Sequence, residues 1–124
     1  MALSGLVQIR DAQPVSADLS AHQYKIVTFD GSGDLELAAT GGSGGYVLLE
    51  TADTAGKMGT ILLHGKGKVI AGDTIAKGAF LTNEVTTGHA ITATTGDVII
   101  GIALADAAVN DLFKFYAVQS DNAA

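Results

Sequence analysis

The sequence has no cysteine, no tryptophan and a single proline in 124 residues. The lack of thiols excludes disulfide frameworks, thiolate zinc sites, iron–sulfur clusters and cysteine nucleophiles. Charged residues make up only 16% of the chain, and thirteen acidic residues outnumber seven Lys and Arg, which gives a formal net charge of −6. Because nucleic-acid binding needs basic side chains to replace the counterions on phosphates, this balance argues against a nucleic-acid partner.

Long apolar runs are also missing. No stretch approaches the roughly 18 consecutive apolar residues of a membrane span, so we expect no membrane partner. Residues 1–14 lack the basic segment and the apolar stretch of a secretory signal peptide. We therefore expect synthesis in the cytoplasm.

What the chain does contain is sixteen glycines between short runs of β-branched and aromatic residues. Residues 24–29 form such a run and end at the turn signal 30–33, and residues 46–50 form another after the glycine-rich segment 41–45. Turn signals recur about every 8–12 residues, and no window has the 3.6-residue apolar period of an amphipathic helix. The pattern predicts an all-β fold, a small β-barrel or sandwich of short strands with little or no helix.

The N-terminal segment differs from the rest of the chain. Its apolar residues come first, and a polar, turn-prone stretch that includes Pro14 follows. We predict an extended N-terminal arm over residues 1–22, a β-barrel domain over 23–119 and a short C-terminal tail over 120–124.

Two alternatives exist for this arm. Its apolar side chains favour addition of a strand to a neighbouring sheet, where main-chain hydrogen bonds cross an interface. In that case the contact residues are Leu3, Leu6, Val7 and Ile9. Alternatively, the arm is simply the first strand of its own domain.

Two glycine-rich segments superficially match catalytic or phosphate-binding motifs. Residues 41–45 fit G-x-S-x-G, but a nucleophile elbow needs a strand-to-helix turn, and this segment lies between two β runs. Residues 65–67 surround a lysine, but they lack the G-x-x-x-x-G-K-[ST] spacing of a phosphate loop. We interpret the first as a loop and the second as a hairpin turn.

Histidine and aspartate residues are the remaining candidates for chemistry. His22, His64 and His89 would suit zinc if a barrel brought them together, but each lies beside a predicted turn, which favours solvated side chains. Most of the ten Asp residues also fall at turns, where their carboxylates bond to the local backbone. We predict no catalytic residue, metal site or cofactor, and hence no enzyme.

The second half of the chain carries a family resemblance. Residues 67–82 read GKVIAGDTIAKGAFLT, residues 97–108 read DVIIGIALADAA, and an apolar strand over 112–118 closes the pattern. Together with residues 17–27, these segments resemble the small capsid decoration, or cement, proteins of tailed bacteriophages.

The resemblance implies a structural virion protein. Such a protein binds the outer surface of the major capsid protein shell and stabilises it, as a homotrimer on the capsid exterior, without cofactors or catalytic residues. The alternative is a small-ligand or carbohydrate-binding β-module in which the loops around residues 72–78 form the pocket.

Overall fold

The computed structural model describes residues 8–120, and its regular elements are all strands. Nine are present within that range, and no helix occurs there: β1 Gln8–Pro14, β2 Ile26–Phe29, β3 Leu35–Leu37, β4 Tyr46–Glu50, β5 Met58–Ile70, β6 Phe80–Asn83, β7 Ala90–Thr92, β8 Ile99–Ala103 and β9 Leu112–Ser120. The all-β prediction is confirmed.

The strands form one curled sheet in which each pair is antiparallel. Their order is β3-β2-β4-β5-β9-β8-β6-β7, and β1 joins beside β5. At thirteen residues β5 is the longest strand, and it pairs with β1, β4 and β9. It therefore connects the N-terminal half of the sheet to the C-terminal half.

The hairpin turn predicted over residues 65–67 is wrong, because β5 runs straight through it. Gly67 is paired with Phe115 of β9. A Cβ atom on Gly67 would lie 2.5 Å from Cδ2 of Leu62 and 3.5 Å from Cε1 of Phe115. The glycine thus makes room for packing inside a strand, and the flanking lysines project from the sheet.

The sheet around β2, β4 and β5 is buried on both faces. The main core includes Ile26, Leu62 and Phe115, whereas a second, smaller core includes Val27 and Ile61. Neighbours in sequence belong to different cores because successive side chains of a strand point to opposite faces. Burial on both faces makes this part of the sheet the rigid centre of the molecule.

The N-terminal segment takes part in this arrangement. Strand β1 pairs with β5 of the same chain, from Gln8 opposite Gly65 to Pro14 opposite Met58. Directly after it, Val15 and Leu19 are buried in the second core.

Over residues 8–14 the structure therefore corresponds to the second alternative, in which the segment is the first strand of its own domain. Leu3, Leu6 and Val7 lie outside the described residues, so the docking role of the arm stays a prediction, as do the domain boundaries at residues 22 and 119.

Aspartates close turns as the sequence predicts. In the hairpin between β2 and β3, Oδ1 of Asp30 accepts the backbone N–H groups of Ser32 at 2.8 Å and Asp34 at 3.0 Å. Similar carboxylate-to-backbone bonds are made by Asp73, Asp97, Asp106 and Asp111.

Candidate docking face

A row of side chains crosses the outer face of four neighbouring strands. Lys66 of β5 is paired with Tyr116 of β9, Tyr116 with Ile102 of β8, and Ile102 with Phe80 of β6. Directly paired residues project to the same face of a sheet. Phe80 is 51% exposed and Tyr116 is 36% exposed, so this row presents aromatic surface to solvent. We call it the outer row.

Further apolar groups extend the outer row along the strands. The imidazole of His64 packs edge-on against the ring of Tyr116, with centroids 5.3 Å apart. Leu112, paired with Ile70, is also exposed. Several exposed aromatic and aliphatic groups on one face of a sheet are typical of interaction surfaces, in which Tyr and Phe are enriched.

Of the four contact residues predicted in the arm, Ile9 is the one within the described range, and it lies beside the outer row. It is 52% exposed and is paired with His64, whose ring contacts Tyr116. Its predicted role as a capsid contact stays a prediction.

Two lysines face each other next to the outer row. Lys68 of β5 is directly opposite Lys114 of β9, and both are exposed. Like charges at directly paired positions destabilise a sheet. The pair therefore lowers the stability of the fold, and a role in binding a partner would explain its presence.

These two lysines line a groove of about 460 Å³. Four of the seven basic residues of the chain line it, namely Arg10, Lys66, Lys68 and Lys114, together with one carboxylate, Glu50. The ion pairs within residues 8–120 are Lys57–Asp53 and His89–Glu84, so none of the four groove cations has a carboxylate at ion-pair distance there. We call this feature the cationic groove.

The walls of the cationic groove are fixed by backbone contacts. Tyr24 adopts a φ of 65°, a left-handed conformation that is rare for a bulky residue. Its N–H donates to the carbonyl of Leu48 at 2.7 Å, and its carbonyl accepts the N–H of Ile70 at 3.1 Å. These two bonds tie the strained residue to β4 and β5, and such strain is concentrated at functional sites.

The polar neighbours of the cations are already engaged. The amide of Gln23 donates to the carbonyl of Leu49 at 2.9 Å, and the amide of Gln8 donates to the carbonyl of Lys66. The carboxylate of Glu50 accepts the hydroxyl of Thr60 at 2.9 Å. The charged heads of the lysines are thus the groups left to meet a partner.

The three histidines have separate surroundings. Lys25 donates to Nδ1 of His22 at 3.3 Å, His64 packs edge-on against Tyr116, and His89 lies 3.9 Å from Glu84. Burial, followed by the charge of Lys25, lowers the pKa of both His22 and His89. Across residues 8–120, no three His, Asp or Glu side chains are close enough to hold a metal ion.

The G-x-S-x-G segment is a packed connection between β3 and β4. The hydroxyl of Ser43 donates to the carbonyl of Thr40 at 2.7 Å, so it faces its own loop. The N–H of Gly44 donates to Oδ1 of buried Asn83 at 2.7 Å, and the Asn83 amide donates to Thr40 at 2.7 Å. A structural asparagine anchors the segment.

The loops around residues 72–78 border a shallow depression that Asp106 and Asp111 also line. Both carboxylates are committed to the backbone, at Lys77 and Ala108 respectively. The depression offers a ligand fewer free polar groups than the cationic groove does. No helix within the described range is long and apolar enough to cross a membrane.

Comparison with known proteins gives a likeness of fold. No family model and no curated protein matches the chain. Among solved structures, it is similar to the head fiber gp8.5 N base in bacteriophage phi29, with a TM-score of 0.66 and 18% sequence identity. The alignment covers 95% of this chain and 100% of that one, so the two share their fold over the whole sheet.

Proposed function

We propose that this chain is a structural protein of a bacteriophage virion, placed on the exterior of the head and bound to the major capsid protein. The observation that carries the proposal is the fold shared along 95% of the chain with the base of a phage head fiber. The sequence resemblance to capsid decoration proteins supports the same role independently. In this role the protein strengthens the shell as a homotrimer.

The docking face supplies the chemistry for such a role. The outer row provides aromatic contact area on a sheet whose other face is buried, so a partner meets a rigid surface. Docking on a rigid surface costs little ordering entropy, which favours a stable association.

The proposal is tested by co-sedimentation with empty shells of the phage that encodes the chain. We expect the full-length protein to sediment with the shells. A Phe80→Ser, Tyr116→Ser double variant is expected to bind about thirtyfold more weakly, since hot-spot residues contribute more than about 1 kcal/mol each.

Met58→Ser is the matched control, because Met58 is 62% exposed but lies at the first residue of β5, away from Lys66 and the outer row. Light scattering of the purified protein tests the trimer separately. Failure of the full-length protein to sediment with the shells would remove the proposed function.

Removal of residues 1–7 tests the arm while leaving β1 intact. We expect weakened shell binding if Leu3, Leu6 and Val7 dock on a neighbour. Full-strength binding by this shortened protein would assign the docking to the sheet alone.

A further inference from the structure

We propose that the cationic groove binds an acidic segment of the major capsid protein, with Asp or Glu at alternate positions of an extended stretch. The choice of partner rests on the proposed function. The groove itself stands on its geometry and charge.

Charge is distributed unevenly over this chain. Its formal net charge is −6, yet four of its seven basic residues line one groove that contains a single carboxylate. A cleft lined by one sign of charge focuses the electrostatic field and attracts ligands of the opposite sign. The rest of the surface repels other acidic molecules, so attraction is confined to this groove.

The lysine pair within the groove lacks a counter-charge from its own chain. Lys68 and Lys114 face each other directly, and neither has a carboxylate at ion-pair distance within the described residues. Carboxylates of a partner would remove this repulsion on binding. The groups that destabilise the free protein therefore favour the complex.

The spacing of the cations fits an extended segment. Lys66 and Lys68 stand two residues apart on one strand, which separates them by about 6.6 Å along β5. Alternate side chains of an extended peptide have the same separation. Carboxylates at alternate positions of the partner thus match both lysines in one register.

The groove is continuous with the outer row, because Lys66 belongs to both. One partner can therefore cover the aromatic surface and place its acidic segment in the groove. This continuity favours a protein partner over a free small anion.

The first experiment measures binding of a short capped peptide that alternates Glu and Ser, by fluorescence anisotropy with the full-length protein. We expect saturable, salt-sensitive binding, with no binding of the matching peptide that alternates Gln and Ser. The Lys68→Gln, Lys114→Gln double variant should bind about fivefold to tenfold more weakly, since each exposed charge pair contributes up to about 1 kcal/mol.

A Lys57→Gln, Lys77→Gln double variant is the matched control, because it removes the same charge outside the groove. It should retain the affinity of the unmodified protein. Equal affinities of the two double variants would overturn the proposal, and so would tighter binding of a single-stranded oligonucleotide than of the Glu peptide.

The second experiment repeats shell co-sedimentation with the same variants, after their melting temperatures have been shown to match that of the unmodified protein. Weaker sedimentation of the groove variant alone supports the proposal. If the groove variant sediments as well as the unmodified protein, the groove inference falls and the proposed function stands. If the unmodified protein does not sediment at all, the proposed function falls, and the peptide measurement then decides whether the groove is an anionic-segment site.

Discussion

Two neighbours in β9 have opposite surroundings. Phe115 points inward and is 1% exposed, whereas Tyr116 points outward and is 36% exposed. Phe115 lies against the glycine positions of adjacent strands, since a Cβ atom on Gly101 would come within 2.8 Å of its Cδ2 atom. Tyr116 instead joins a row that continues to Ile102 and Phe80. Strand alternation thus separates a face that holds the fold together from a face free for recognition.

The two faces also differ in the number of charged side chains that they carry. The inner face of β5 and β9 contributes apolar residues to the main core, whereas the outer face of these two strands carries Lys66, Lys68 and Lys114. Lysines opposite each other destabilise the sheet less there than they would in the core, because water weakens the repulsion between exposed charges. The difference indicates that stability constrains the inner face more strongly than the outer face, which we propose binds a partner.

The strongest test of this comparison exchanges the two aromatic neighbours separately for alanine. Phe115→Ala should lower the free energy of unfolding by about 4 kcal/mol, because it removes a fully buried ring and leaves a cavity. Tyr116→Ala should cost about 1 kcal/mol or less, because its side chain is on the exposed face and its removal leaves no closed cavity. Urea denaturation of both variants measures the difference.

Shell co-sedimentation should show the reverse order at a temperature where both variants are folded. Tyr116→Ala is expected to weaken binding, while folded Phe115→Ala should bind like the unmodified protein. Equal destabilisation by the two substitutions would contradict the assignment of separate roles to the faces.

Local signals in the sequence identified much of the fold. The strand predicted over residues 46–50 is β4, and the turn predicted after residue 29 is the hairpin closed by Asp30. These features depend on a few adjacent residues, which a sequence shows directly. The glycines at 65 and 67 gave the same local signal as a turn. Only the distant Phe115, paired across the sheet with Gly67, shows that Gly67 serves packing within a strand.

The docking face could not be predicted from the sequence for a related reason. Phe80, Ile102, Tyr116 and Lys66 align only through the registers of three strand pairs, and each pair joins residues distant in sequence. A one-residue shift in any register would send a side chain to the other face. The turn predicted over residues 65–67 also precluded placing Lys66 and Lys68 on one face of a strand, where the structure has them.

A smaller effect is expected at a polar site on the buried side. Asn83→Ala removes an amide that donates to the carbonyl of Thr40 and accepts from the N–H of Gly44. Loss of a partner by these buried groups should cost about 2 kcal/mol. Urea denaturation measures this loss, and the loop over residues 40–45 should exchange its amide hydrogens faster.

The neighbouring Thr82 is the matched control. It is also fully buried, but its hydroxyl has no hydrogen-bond partner among the residues that the structure describes. Thr82→Val keeps the shape and removes an unsatisfied polar atom, so stability should stay the same or rise. A larger loss from Thr82→Val than from Asn83→Ala would show that the Thr82 hydroxyl stabilises the fold, and it would contradict this ranking.

The smallest effect concerns charge at the border between buried and exposed regions. His22 and His89 both lie near Lys25, and burial is the main cause that lowers their pKa values below the ordinary 6.5, with Lys25 second. Asp18 and Glu84 act weakly in the opposite direction. Between pH 6.5 and the lower folded-state values, the unfolded chain binds more protons than the folded one. Stability should therefore be complete above pH 6.5 and decline as the pH falls through this window.

Melting temperatures measured from pH 8 down to pH 5 test this expectation. A His22→Gln, His89→Gln double variant should show a flatter profile than the unmodified protein, since glutamine does not titrate. An unchanged slope in the double variant would mean that other groups cause the decline. A flatter slope would show that protonation of the two histidines causes the decline in stability. An added positive charge is then less well accommodated in this partly buried region than the lysines are on the exposed outer face.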